Sequence, residues 1–194
     1  MLFRSDSLRS ETKSLSVETI YAYVGGTSST GKEVDAGMQY SQLKNNWSLF
    51  LRGPVHYLTI EEANRFKAGQ NVFYKFYVSS TDAVTISGTG IISNGTKQTI
   101  SLTYPGISGW NTSGTGCKVK RVTSIAQKEG YVNPTSGSYV KNVRWYSSLV
   151  GTSSFSNHPW SAADVESYTS EPNPTQVVVN WLSASEETVS IFLK

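Results

Sequence analysis

The sequence predicts an all-β protein, a two-sheet antiparallel β-sandwich, and three observations support that prediction. Apolar and polar residues alternate with a period of two through most of the chain, as in strands with one buried face. Clusters of Gly, Ser, Asn and Pro interrupt these segments roughly every ten residues, a spacing typical of sandwiches. Of the 194 residues, 12% are aromatic and only 16% are charged, and strands favour aromatic and β-branched residues.

About ten strands in a jelly-roll arrangement are expected from this alternation. In chain order they are 16–24, 34–40, 47–52, 70–79, 82–92, 97–104, 117–127, 139–147, 175–182 and 187–193. In the first strand Ile20, Ala22 and Val24 share one face, with Tyr21 and Tyr23 on the other. The second and third strands pair as a hairpin, since Asn45 and Asn46 break the pattern between them.

Two local signals add detail to the strand pattern. The segment 59–67 contains the only plausible helical turn, with Thr59 and Glu62 spaced as in a capping box. Asn94-Gly95 lies between two alternating segments, which predicts a tight antiparallel hairpin.

A single domain over residues 15–194 is expected, preceded by a polar arm at 1–14, because no repeat or second core is visible. The long irregular stretch 151–174 is too short to be a domain of its own. Met1 to Ser16 lacks the apolar core of a signal peptide, so it is interpreted as an arm or as the remnant that remains after a leader is removed.

Charge and cysteine content exclude several function classes. A net charge of +3 supplies no strong field for a phosphate backbone. Lys118 and Lys120 share one strand face, where a solvated surface is favoured over a nucleic-acid stripe. A single cysteine, Cys117, rules out an intramolecular disulfide, and no run approaches the roughly 18 apolar residues of a membrane helix.

Metal and nucleotide chemistry are not signalled by the sequence. His56 and His158 are far apart and no third ligand is spaced with them. A nucleophile elbow and glycine-rich phosphate loops are also missing. No cofactor is therefore predicted, although Asp and Asn loops leave a calcium ion open.

Glu33 and Asp35 are the candidate catalytic residues, because positions i and i+2 of a strand present both carboxylates on one face. The pair resembles the start of the Glu-x-Asp-x-x-Glu strand motif of laminarinase-type, concanavalin-A-like glycoside hydrolases. Gly37 and Met38 stand where that motif needs its second Glu. A retaining mechanism would then lack its acid, so a solvent-exposed structural role is favoured.

Two tryptophans in loops are the candidate ligand-binding residues. Trp110 with Asn111, and Trp160 with His158, lie among turn residues. Indole faces stack on sugar rings, and nearby polar groups supply hydrogen bonds. The competing interpretation is that both rings seal one end of the sandwich.

The segments Tyr21–Thr27, Glu33–Ser41, Ala68–Val72 and Arg121–Gln127 are similar to the YrpD-like secreted proteins of Gram-positive bacteria. The resemblance extends over most of the chain after Leu15 and implies a secreted bacterial protein. It implies no mechanism, since no activity is settled in that group.

These observations predict a secreted, lectin-like, non-catalytic module that binds an extracellular or cell-wall polysaccharide, on a concanavalin-A-like sandwich. One alternative is a glycan-cleaving enzyme, a glycoside hydrolase or polysaccharide lyase, that uses Glu33 and Asp35. Another is an extracellular structural or adhesive subunit joined through edge strands. Whether the protein is an enzyme stays open with a preference against it, and the ligand and oligomeric state are undetermined.

Overall fold

The computed structural model describes residues 2–7, 18–127, 135–164 and 177–193, and within them the protein is an antiparallel β-sandwich. The prediction of an all-β sandwich is confirmed. The strands are β1 (Leu2–Ser7), β2 (Glu18–Thr27), β3 (Glu33–Ser41), β4 (Asn46–Arg52), β5 (Tyr57–Thr59), β6 (Phe66–Lys67), β7 (Asn71–Ser80), β8 (Ala83–Ile91), β9 (Lys97–Tyr104), β10 (Lys118–Gln127), β11 (Tyr139–Tyr146), β12 (Leu149–Val150), β13 (His158–Pro159), β14 (Val177–Ser183) and β15 (Glu186–Phe192).

Two main sheets form the layers of the sandwich. The seven-stranded sheet has the order β14-β15-β11-β1-β7-β8-β9. The six-stranded sheet runs β10-β2-β3-β4-β5, and β6 also pairs with β4. The short strands β12 and β13 pair with each other. Every strand pair is antiparallel.

The core lies between the two sheets and is built from alternate residues of each strand. From the six-stranded sheet it receives Ile20, Ala22, Val24, Val34, Ala36, Met38, Trp47, Leu49 and Leu51. The seven-stranded sheet contributes Val72, Tyr74, Val84, Ile86, Val143, Trp145, Val189 and Ile191. The core face predicted from the period of two for β2 is confirmed.

A buried ion pair links the two sheets inside this core. Arg121 on β10 lies 3.0 Å from Glu187 on β15, Nη2 to Oε1, and their side chains are 4% and 9% exposed. The guanidinium also contacts the rings of Trp145, Trp160 and Trp181 at 5.6, 5.1 and 5.3 Å. Burial lowers the pKa of Arg121 and raises that of Glu187, and each partner opposes the shift of the other.

The N-terminal arm, the helical turn and the Asn-Gly hairpin that the sequence predicts differ in how well they agree with the structure. Leu2–Ser7 lies inside the predicted arm, yet it forms β1 between β11 and β7. The helical signal at 59–67 yields only a 3₁₀ turn at Glu62–Asn64 with no side-chain cap, so Thr59 does not form the capping box. The hairpin at Asn94-Gly95 is confirmed, and Asn94 Oδ1 accepts hydrogen bonds from the backbone N–H and hydroxyl of Thr96.

Candidate functional site

The outer face of the six-stranded sheet, which points away from the core, carries the candidate site. Strand register aligns Lys120, Gly25, Asp35, Arg52 and Tyr57 in one line across β10, β2, β3, β4 and β5. We call this line the charged row. It brings together residues from five strands.

A lysine and an aspartate of the charged row meet the carboxylate of Glu33, which lies on the same face two residues from Asp35. Lys120 Nζ lies 2.7 Å from Asp35 Oδ1 and also pairs with Glu33. Between Lys120 and Asp35 stands Gly25, whose lack of a side chain leaves the space over β2 open. A Cβ at Gly25 would overlap the carbonyl oxygen of Val34, so the backbones are also closely packed here.

The charge state of Lys120 follows from these contacts. Burial lowers its pKa, but hydrogen bonds and Coulombic attraction from Asp35, with a further hydrogen bond to Glu33, raise the pKa above the ordinary lysine value. The ammonium also lies over the ring of Tyr23, 5.6 Å from its centre. Lys120 is therefore a cation at neutral pH and can donate hydrogen bonds to an oxygen that gains negative charge.

Next to the charged row lies a second line, the aromatic row, which contains Tyr23, Gly37 and Phe50. The rings of Tyr23 and Phe50 approach to 6.0 Å across Gly37. Phe50 also contacts Tyr21 at 5.5 Å and stacks on Tyr57 at 5.8 Å. The four rings form an apolar wall beside the charges, and Tyr57 is 48% exposed.

Gln39 occupies the following line of the same face. The Tyr57 hydroxyl donates a hydrogen bond to Gln39 Oε1 at 2.6 Å. Burial raises the pKa of Tyr57 strongly, so the hydroxyl keeps its proton and the bond persists across the physiological range. This contact fixes the exposed ring of Tyr57 against the sheet.

A cavity of about 330 Å³ opens at the end of the charged row. It is lined by Gly31, Lys32, Glu33, Asp35, Arg52, Gly53 and Pro54. Glu33 and Asp35 are already paired with Lys120. In the described part of the chain, Arg52 and Lys32 make no ion pair. The cavity therefore offers two unpaired cations.

The sequence placed Glu33 and Asp35 on one strand face, and the structure does so too. The third group beside them is Lys120 rather than the second acid that a retaining glycosidase needs. The sequence assigned no catalytic or binding role to Lys120, Arg52 or Gly25, and it treated Lys120 only as part of a solvated strand face with Lys118. Their only signal was an outward position on neighbouring strands, which becomes a site only once the register is known.

The predicted sugar-binding tryptophans lie in the core. Trp110 is 2% exposed and meets Phe76 edge-on at 5.6 Å, and Trp160 is 8% exposed and covers Arg121. Asn111 caps its own loop by accepting a hydrogen bond from the Thr115 N–H. His158 is exposed on β13. Burial leaves neither indole face open to a sugar ring.

The described residues were compared with the side-chain groups that hold metal ions and with the helices that cross membranes. Within the four described ranges there is no group of three or more His, Cys, Asp or Glu side chains placed to hold a metal ion. The same part of the chain contains no helix long and apolar enough to cross a membrane.

Comparison with known proteins found matches among solved structures only. No family model and no curated protein matches the chain. Aspergilloglutamic peptidase from Aspergillus niger superposes with a TM-score of 0.58 at 10% identity, covering 89% of this chain and 98% of that one. Scytalido-glutamic peptidase, solved with a peptide-based transition-state analogue, gives 0.59 at 12% identity, with 98% and 89% covered.

These likenesses establish the β-sandwich fold and correct the predicted function. The prediction of a carbohydrate-binding module is wrong, because the solved neighbours are peptidases and the two tryptophans that motivated it are buried. The loop position of an aromatic residue was a poor guide to its exposure.

Proposed function

We propose that this protein hydrolyses peptide bonds on the outer face of the six-stranded sheet. The observation that supports this most directly is the meeting of the Lys120 ammonium and the Asp35 carboxylate across Gly25, beside an apolar wall. The two solved structures compared above, which share the fold, are peptidases. Because their sequence identity to this chain is low, they support only the proposed substrate class, a peptide. The proposed chemistry is argued from this chain's own residues.

The charged row contains the two groups that amide hydrolysis requires. In the proposed step the Asp35 carboxylate accepts a proton from water as the water oxygen bonds to the peptide carbonyl carbon. The Lys120 ammonium donates a hydrogen bond to the resulting oxyanion. As the carbon–nitrogen bond breaks, the proton held on Asp35 passes to the leaving amine, which restores the carboxylate.

Substrate binding follows from the spacing of the rows. Adjacent rows are separated by two residues along a strand, roughly 6.6–6.8 Å. Alternate side chains of an extended peptide repeat at the same distance. A peptide that follows the strand direction therefore places one side chain at the charged row and the next on the same face at the aromatic row.

The proposal is tested by incubating the purified chain with an unfolded protein and with a pool of synthetic peptides, and analysing products by mass spectrometry. We expect cleavage by the natural chain and a loss of about 100-fold or more in Asp35→Asn and Lys120→Met. Lys118→Met is the matched control, since Lys118 lies on the same strand and face and makes no ion pair with the residues that the structure describes.

Thermal unfolding of each variant separates loss of chemistry from loss of fold. Absence of cleavage by the natural chain, or full activity in folded Asp35→Asn, would overturn the proposal. Secretion, implied by the resemblance to YrpD-like proteins, belongs to the same proposal and would place the polypeptide substrates outside the cell. Fractionation of cells that express the complete gene tests that part.

A further inference from the structure

We propose that the cavity at the end of the charged row binds a carboxylate of the substrate, with Arg52 as the specificity-determining residue and Lys32 as its neighbour. This inference rests on the proposed function, because it names the peptides that the same face would select. The expected ligands are peptides with an Asp or Glu side chain, or a free C-terminal carboxylate, two residues from an apolar side chain.

The charges around the cavity favour an anion. The lining contains two cations, Lys32 and Arg52, and two carboxylates, Glu33 and Asp35. Both carboxylates pair with Lys120, which lies outside the lining, whereas Lys32 and Arg52 make no ion pair within the described residues. A guanidinium presents parallel N–H groups that match the two oxygens of a carboxylate. Arg52 is the better placed of the two because it also lies in the charged row.

The register of β4 links this cavity to the apolar wall. Arg52 and Phe50 are two residues apart on the outer face, one in the charged row and one in the aromatic row. Phe50 is only 3% exposed, so the apolar surface at this spacing is provided by the more exposed rings of Tyr23 and Tyr57 that pack on it. An extended peptide spans that separation with side chains two positions apart. The proposed site therefore selects peptides in which an acidic group and an apolar side chain are two residues apart.

The test measures kcat/KM for peptide sets that differ at one position, which carries Glu, Gln or Lys two residues before or after a Phe. A second set compares free and amidated C-termini, which distinguishes an internal acidic side chain from a terminal carboxylate. The enzymes compared are the natural chain, Arg52→Gln, Arg52→Glu and the control Lys97→Glu. Lys97 is an exposed residue of β9, on the other sheet.

For the natural chain we expect Glu or the free terminus to be favoured over its neutral counterpart by about tenfold, mainly through KM. Arg52→Gln should abolish the preference, Arg52→Glu should reverse it in favour of Lys, and Lys97→Glu should leave it unchanged. Thermal unfolding shows whether each variant is folded. If the natural chain and folded Arg52→Glu prefer the acidic peptides equally, the inference is overturned.

A binding experiment tests the carboxylate subsite separately from peptide hydrolysis. If no peptide is cleaved, the same peptides carrying a fluorophore are titrated against the natural chain and Arg52→Glu. A carboxylate preference in Kd that reverses with the charge at position 52 supports the subsite without hydrolysis. A Kd that is independent of that charge overturns it.

Discussion

The ammonium of Lys120 reaches the carboxylate of Asp35 across an intervening strand, with Nζ 2.7 Å from Oδ1. Cross-strand contacts normally join immediate neighbours in a sheet. This one spans β10 to β3 because the residue between them on β2 is Gly25. A glycine in the middle of a strand weakens that strand. Here the missing side chain leaves room for Lys120 and Asp35 to meet across β2.

Gly25→Ala is expected to destabilise the protein by about 1–3 kcal/mol through overpacking. The added Cβ would overlap the Val34 carbonyl oxygen and crowd the Asp35 Cα, which forces β2 and β3 apart and weakens the Lys120 contact. Urea unfolding measures the loss. Gly69→Ala is the control, since its Cβ would meet no atom within 4 Å. Its left-handed φ of 73° costs about 1 kcal/mol. Hydrolysis that survives Gly25→Ala unchanged would contradict the role given to the gap.

Lys120 is expected to titrate above the ordinary lysine pKa, because Asp35 and Glu33 outweigh the effect of its burial. The stability that comes from this raised pKa is fully present below about pH 10.4, the unfolded value, and is lost as pH rises through the folded value. Asp35→Asn should lower the Lys120 pKa, since burial is then opposed mainly by Glu33. NMR titration of the lysine side chains follows both changes. A Lys120 pKa in the natural chain that is not above the ordinary lysine value would refute the expectation.

The sequence was informative wherever one strand face was buried. Alternation located Lys97–Tyr104 with the same bounds that the structure has, and it assigned Ile20, Ala22 and Val24 to the core face. It also placed Lys118 and Lys120 on one side of β10, as the pairing of that strand with β2 requires. These successes share one cause, since a period of two fixes which side of a sheet each residue occupies.

Relationships between strands were beyond such reasoning. Lys120, Gly25, Asp35 and Arg52 lie far apart in the chain, and their alignment depends on register, which alternation along single strands leaves unspecified. Arg121 follows Lys120 directly in the sequence, and the period of two turns its side chain to the opposite face of β10, into the core. That a charge occupies the core became visible only with Glu187 on β15 opposite it.

Arg121→Met is expected to destabilise the protein by about 3–5 kcal/mol, because it leaves the Glu187 carboxylate buried without its partner. The double variant Arg121→Met/Glu187→Leu should regain most of that loss, since apolar replacement of a buried pair is often neutral. Urea unfolding at neutral pH measures both. Equal stability of the single and double variants would show that the pair is not coupled.

The same pair predicts a pH dependence. Burial raises the folded pKa of Glu187 above the ordinary value of 4.5, so the folded state holds its proton more tightly than the unfolded state does. Stability from this group is therefore present below about pH 4.5 and falls as pH rises through the folded value. Glu187→Gln should lack this component. The melting temperatures of the natural chain and of Glu187→Gln, compared as pH rises from about 4.5, test the direction of this pH dependence. A difference in melting temperature that does not vary with pH would contradict the prediction.

Trp110 is expected to act as a core residue, so that Trp110→Ala costs about 3–5 kcal/mol of unfolding free energy. Its ring is 2% exposed and contacts Phe76 edge-on, so removing it leaves a cavity at that end of the sandwich. Trp110→Phe should cost much less, because an aromatic ring remains and the indole N–H has no hydrogen-bond partner among the described residues. Urea unfolding distinguishes the two variants. A Trp110→Ala protein as stable as the natural chain would place the ring at the surface, where the loop sequence had suggested a binding platform.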